Sequence, residues 1–426
     1  MSSTTALEFL KRHGMSPTAI DPAEYAEKMR LDMERGLAGA DSSMPMIPTY
    51  IRGDGCIPKG VPVAVIDAGG TNFRSGIITF TDGGYELTRL TKHKMPGTEK
   101  SASWEEFISF TADSIMPLMD EAELIGFCFS YSADITPEID GLVRCIDKEV
   151  VITGATGQLV GASLIAELAR RGVTGKRVFV LNDTVAALLG ASSALDRGAY
   201  SGFIGQISGT GTNTCCALPY SRIPKLGMSG DGSILINLES GLYDGMPQGD
   251  FDVILDRESH NPGEKSMEKM TAGVYLGELG RLMLCAAADE GLLSAASGAK
   301  VRTLGKIDAS YIDAWAGGEG LEQVSDNADD ADFARTMSLA LFERSARCMC
   351  ANLTAIMLLT GAGGDAEKPV CVCAEGSLVD KSRYFRPMLE GFLAEYAAGR
   401  LGKYAVMNVS RETTLPGSAA AALLNR

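Results

Sequence analysis

The chain has 426 residues, 45% of them hydrophobic, so it can bury a large core, and its length favours two or more domains. A formal net charge of −15 disfavours nucleic acid and anionic membrane surfaces as partners, because both are bound through clustered Lys and Arg. No apolar run approaches the ~18–20 residues that span a bilayer, and the N-terminal MSSTTALEFLKRHG lacks the apolar centre of a secretory signal, so a cytoplasmic protein is expected.

Asp21 followed by Pro22 predicts a capped start for a helix over 21–38. RGDGCIPKGVP (52–62) reads as a linker. VAVIDAGGTNFRSGIITF (63–80) reads as strand, glycine turn, strand. A helix pattern over 104–122, a strand over 124–131, an amphipathic helix over 158–171 and a buried strand over 177–182 follow. TVAALLGASSAL (184–195) is the next helix. GFIGQISGTGTNTCCAL (202–218) repeats the strand–turn–strand design, so the chain reads as two similar α/β halves. The segment 252–293 looks helical, with a Pro-Gly turn at 262–263. Residues 316–333, acidic and glycine-rich, read as a solvated loop before a long helix over 334–359. A strand over 369–374 runs into EGS, and the chain ends in GSAAAALLNR, a helix opened by glycine. Ten cysteines without a CxxC pair, beside three histidines, point to reduced thiols rather than a zinc site.

Five stretches carry chemistry. DAGGTN (67–72) is neither a Rossmann nor a P-loop fingerprint. Gly69 and Gly70 let a backbone turn offer N–H groups to an anion, Thr71 and Asn72 add side-chain donors, and Asp67 suits the water shell of Mg²⁺. The same residues also make an ordinary hairpin turn. GTGTN (209–213) repeats the design, and two such turns across a cleft could hold a polyphosphate. In NDT (182–184), Asp183 is either the cap of the following helix or a general base for an attacking hydroxyl. Glu239 and Glu268, each an ordinary solvated carboxylate if taken alone, are of the type that binds sugar hydroxyls when paired.

In their order, IDAGGTNFR (66–74), GFCFSY (126–131), LNDTVAALL (181–189), GTGTN, NLESG (237–241), NPGEKSMEKMTAGVYLGELGRLML (261–284), EGSL (375–378) and GSAAAALL (417–424) resemble the hexokinase family of sugar kinases. That family lies within the superfamily of actin, heat-shock chaperones and sugar kinases. The resemblance implies two RNase H-like α/β domains, as in actin-like ATPases, in a bilobal structure with a deep cleft. A small domain would comprise 58–183 plus 410–426, and a large one 1–57 plus 184–409. It also implies ATP with Mg²⁺ as phosphoryl donor, a hexose as acceptor at its 6-hydroxyl, and a monomer or homodimer at the entry to glycolysis. Asp183 would be the base and Lys148 would contact the transferring group. Ser130, Asp147, Asn182, Asn213, Glu239 and Glu268 would bind sugar. Asp67, Gly69, Gly70, Thr71, Asn72 and Arg74 would face the ATP phosphates, with Gly209, Thr210 and Gly211 opposite. Gly376, Ser377, Gly417 and Ser418 would lie near the adenosine.

Two departures bear on the sugar. The family usually has Ser-Phe-Pro where this chain has Ser130-Tyr131-Ser132, and Trp-Thr-Lys-Gly where it has Ile146-Asp147-Lys148-Glu149. Another sugar or amino sugar, a catalytically weak sugar sensor, and an ATPase without a sugar site are the competing readings.

Overall fold

An apolar strand, a glycine turn and a returning strand set up the first sheet. In the computed structural model, which describes residues 2–146 and 150–426, β1 (Pro62–Gly69) and β2 (Asn72–Thr81) form a hairpin closed by Gly70 and Thr71. β3 (Gly84–Lys94) extends it antiparallel. β4 (Leu124–Phe129) and β5 (Arg177–Leu181) add in parallel, with Cys128 registered against both Asp67 and Leu181. β4 is buried at every position, as a central parallel strand covered on both faces should be.

α1 (Asp183–Ser193) leaves β5 with no intervening loop beyond Asn182 and carries the chain to the second sheet. There β6 (Gly202–Ser208), β7 (Thr212–Pro219) and β8 (Ser233–Asn237) make an antiparallel meander. A helical layer follows, including α2 (Ser266–Thr271) and the long α3 (Ala328–Thr360). β9 (Val370–Glu375) then pairs in parallel with β6, and β10 (Ala405–Val409) with β9. The short strand Ile47–Pro48 covers the edge beside β8. α4 (Thr414–Leu424) returns to pack on the first sheet and on α1. With strands numbered in chain order within each lobe, both five-strand sets run 3-2-1-4-5. The repeated hairpin in the sequence is therefore the visible part of a duplicated RNase H-like unit, and the fold is two-lobed.

Each lobe has its own core, and a third core joins them. Val65 and Cys128 of the first sheet, Cys215 and Cys373 of the second, and Val185, Leu188, Ala419 and Ala421 of the two helices share one buried cluster. α1 and α4 thus lie between the sheets and fix how the lobes meet. Their contact is close because residue 417 has no side chain: a Cβ there would stand 1.8 Å from the Ala186 carbonyl oxygen.

Several boundaries differ from the expectation. The helix expected over 104–122 ends at Ile115 and continues only as a 3₁₀ turn, Met116–Leu118, because Pro117 lacks an N–H to donate. The loop expected over 316–333 is helical from Ala328. Asn327 caps that helix, and Asp330 is buried on Ser294, Ser297 and Asn327, so this acidity serves a helix start. The segment 252–293 is three helices, Asp250–Glu258, α2 and Gly273–Asp289, broken at the Pro262-Gly263 turn and at an extended Ala272. The last helix opens at Thr414, a turn before Gly417. β3, exposed along almost its whole length, shows no apolar alternation by which to find it. Cys128, Cys215, Cys216, Cys348, Cys350, Cys371 and Cys373 are buried free thiols, as expected. Among the described residues no helix is long and apolar enough to cross a membrane.

Gly417→Ala forces a methyl into the backbone of α1, and overpacking of this kind costs about 1–3 kcal/mol. Chemical denaturation should show a loss of that size. A loss under about 0.5 kcal/mol, the range of an indifferent surface change, would refute the close contact.

Candidate active site

The strand–helix join at 181–183 places the central carboxylate. Asn182 is extended (φ −75°, ψ 156°), and its Oδ1 accepts the Thr184 N–H at 2.9 Å. Asn182 is therefore the cap, and Asp183 is the first helical residue. Its Oδ1 also accepts that N–H, at 2.8 Å. Half-buried and held by β5 on one side and α1 on the other, Asp183 has a fixed position.

Glu239 and Glu268 come from separate elements, and the charge of Glu268 acts on Glu239. Glu239 follows β8 and lies in left-handed backbone (φ 55°, ψ 46°), as does Lys265 just before α2 (φ 55°, ψ 40°). Left-handed conformations at non-glycine residues cost on the order of 1–3 kcal/mol and concentrate at functional sites. Asn213 donates to Asn237 at 2.8 Å, and Asn237 donates to Glu239 Oε1 at 2.7 Å, so the two asparagines orient one carboxylate. Glu268 Oε2 accepts the Thr212 N–H at 3.0 Å, and Lys265 Nζ lies 3.7 Å from its other oxygen. A Cβ on Gly211 would stand 2.8 Å from Glu268 Oε2, so this glycine makes room for the glutamate. Burial holds the Glu239 carboxyl above its ordinary value, and the charges of Asp183 and Glu268 add to the rise against the opposing Asn237 bond. These three carboxylates therefore share one electrostatic neighbourhood.

The first glycine turn adjoins them through Cys128. Burial, then Asp67 and Asp183, push this thiol well above its ordinary range, so it is a neutral group within reach of both carboxylates. Asp67 is 7% exposed, and among the described residues the bonds to its side chain fall on Oδ2, from Arg74 and from the Thr414 hydroxyl. Its Oδ1 lies against Gly69. Arg74 bonds Asp67 Oδ2 at 3.1 Å and the Thr414 hydroxyl at 2.9 Å, and its Nη1 lies 3.7 Å from Glu412. Ser130 is buried against Gly69, and Thr71 and Asn72 are exposed on the turn.

In the second turn the Gly209 N–H donates to Gly211 O at 3.0 Å, and Gly209 O accepts from Gly273 N at 2.8 Å. Both backbone polar groups of Gly209 are thus bonded within the structure, while Thr210 is exposed. Gly376 and Ser377 come close to this turn: a Cβ on Gly209 would stand 3.1 Å from Ser377 N. Gly417 and Ser418, expected near the adenosine, lie in the first turns of α4. Both are buried in the packing of α4, and the Ser418 hydroxyl donates to Thr414 O at 2.7 Å. Thr414, which opens α4, bonds Asp67, and Thr413 just before it bonds Glu375. Glu375 accepts from Glu412 N at 3.1 Å, from Thr413 N at 3.2 Å and from the Thr413 hydroxyl.

The sequence reading missed Asn237, Lys265, Glu375, Thr413 and Thr414. Asn237 and Lys265 stand two and three residues before the expected glutamates, a local signal that was available. The other three are recognisable only from contacts across the fold. The expected roles of Asp147 and Lys148 lie outside the described residues.

The hexokinase family models match residues 8–193 and 203–424. Hexokinase-1 of Saccharomyces cerevisiae is 31% identical over 300 residues, covering 66% of this chain and 60% of that protein. This match spans less than two thirds of the yeast relative. Hexokinase-1 of Oryza sativa is 29% identical over 448 residues, covering 96% of this chain and 88% of that protein. A hexokinase from Schistosoma mansoni complexed with glucose superposes with a TM-score of 0.79 at 22% identity, over 99% of this chain and 98% of that one.

The raised carboxyl of Glu239 has a consequence for stability. Above the ordinary value of 4.5, the unfolded chain loses a proton that the folded chain still holds, so this group's contribution falls as pH rises through the folded value. Glu239→Gln removes the penalty. In the sugar-free protein it should raise the melting temperature at pH 7, with the gain shrinking toward pH 4. A gain equal at both values, or a loss at pH 7, would contradict the crowding of charge.

Proposed function

Because the chain belongs to the hexokinase family, we propose that it transfers the γ-phosphoryl group of ATP to the 6-hydroxyl of a hexose, glucose or a close relative. The products are hexose 6-phosphate and ADP, at the entry to glycolysis. One observation carries this reading: Asp183 sits at a rigid strand–helix join, in electrostatic reach of the Glu239 and Glu268 pair on one side and of the Cys128–Asp67 row on the other.

In this account Glu239 and Glu268 accept hydroxyl protons of the sugar, each as a charge-assisted hydrogen bond. Asn182, its Oδ1 already bound to Thr184 N, offers its amide N–H groups, and Asn213 acts beside it. Asp183 orients the 6-hydroxyl and accepts its proton as the oxygen attacks phosphorus. The turn 69–72 and Thr210 with Gly211 face the phosphates, and Gly376 with Ser377 the adenosine. The donor set suits Mg²⁺: one carboxylate oxygen, Asp67 Oδ1, stands at the glycine turn, which matches a cation carried by phosphate and water. When bound, Mg²⁺ neutralises phosphate charge. Closure of the lobes about the crossings at 182 and 410–413 would exclude water from this chemistry. Lobes of 58–183 with 410–426 and of 1–57 with 184–409 remain the division that suits such a hinge, in a monomer or homodimer.

A second reading, a kinase for another sugar or amino sugar, rests on the altered loop at Tyr131-Ser132. A panel of sugars with Mg²⁺–ATP separates the two. Turnover of another sugar with none of glucose, mannose or fructose would select the second, and tight sugar binding without turnover would select a sensor.

Asp183→Asn should lower turnover by about 10²–10⁴ at nearly unchanged sugar affinity, with the fold retained by circular dichroism. A fall under about tenfold would remove Asp183 as the base.

A further inference from the structure

The loop at 130–131 and the glycine turn at 69–71 are one contact. Tyr131 stands where the family usually has phenylalanine, and the extra hydroxyl is used. The side chain is 3% exposed, and its ring lies against Phe129 with centroids 5.2 Å apart. Its hydroxyl donates to the Gly70 carbonyl oxygen at 2.9 Å. Next to it, Ser130 N donates to Ala68 O at 3.1 Å, and Ser130 Oγ would stand 3.0 Å from a Cβ on Gly69. Ala68, Gly69 and Gly70 are thus each seated on residues 130 and 131.

Gly70 has φ +52°, and a Cβ there would meet nothing within 4 Å, so the turn opens outward at this point. In a planar trans peptide the C=O and N–H of one unit point to opposite sides. A carbonyl of Gly70 held by Tyr131 therefore directs the Thr71 N–H away from the loop, on the exposed side of the turn. A glycine peptide without such an anchor has both orientations within reach. The flipped one would present a carbonyl oxygen, which repels phosphate, where the N–H should be.

We propose that Tyr131 is a positioning residue for the phosphate turn: its hydroxyl fixes the Gly70–Thr71 peptide with the N–H outward, and it ties that orientation to the sugar loop. This rests on the reading of 69–72 as the site of the ATP phosphates. Where Ser130 of the same loop binds sugar, as the resemblance implies, sugar and nucleotide affinities are coupled through this bond, each strengthening the other by one common factor.

Tyr131→Phe removes the hydroxyl and keeps the ring. Loss of one such bond should raise the Kd for Mg²⁺–ADP, measured by calorimetry, and the KM for Mg²⁺–ATP about three- to tenfold, with the hexose Kd in the absence of nucleotide within about twofold. The factor by which hexose tightens Mg²⁺–ADP binding should also shrink. Thr111→Val serves as the structural control: it removes a buried hydroxyl that donates to Phe107 O at 2.8 Å in the same lobe. It should lower the melting temperature and leave nucleotide affinity alone. Unchanged nucleotide constants in Tyr131→Phe, or equal weakening of sugar and nucleotide in both variants, would overturn the inference while leaving the kinase reading intact. A wild-type chain that binds no Mg²⁺–ADP would overturn the reading of the site, and the inference with it.

Discussion

Three carboxylates of like charge, on Asp183, Glu239 and Glu268, have to be held together before any ligand arrives. Like charges repel, and those of Asp183 and Glu268 both work against the ionised form of Glu239. Burial of Glu239 adds to the cost, and its left-handed backbone adds more. The compensations are local and specific. Asn237 bonds one oxygen of Glu239, a backbone N–H bonds Glu268, and Lys265 supplies nearby positive charge.

Holding such a site requires a frame that does not yield, and the frame is the third core. α1 starts at Asp183 and runs between the sheets beside α4, with residue 417 bare of side chain so that the helices can touch. The chain crosses between lobes at Asn182 and again near 410–413, and both crossings are fastened. Asn182 caps α1, while Glu375 grips the backbone of Glu412 and Thr413. One residue further, Thr414 bonds Asp67. Asp183, the Asp67 carboxylate and the loop before Ser377 thus all lie beside these crossings.

Much of this was legible in the sequence where local rules govern. Gly-Gly-Thr and Gly-Thr-Gly turns after apolar strands announce themselves, and their repetition exposes the duplication. The asparagine cap was less legible, because Asn182 and Asp183 both suit that position, and the choice depends on where β5 stops pairing with β4. Gly417 was misread as a helix opener because glycine does mark helix ends, whereas its actual constraint is the Ala186 carbonyl, distant in the chain. The Tyr131–Gly70 and Thr414–Asp67 bonds join segments that no periodicity relates. The acidic stretch before α3 misled for a different reason. Acidic residues suit both solvated loops and helix starts, and only the burial of Asp330 distinguishes them.

Phosphorus NMR of the reaction of wild-type protein with glucose and Mg²⁺–ATP tests the central claim directly, because it reports which oxygen has been phosphorylated. The account predicts a single new phosphomonoester resonance, coupled to the methylene protons at carbon 6, growing in step with ADP. Phosphate coupled to a ring proton, or ADP formed with inorganic phosphate and no sugar ester, would contradict it.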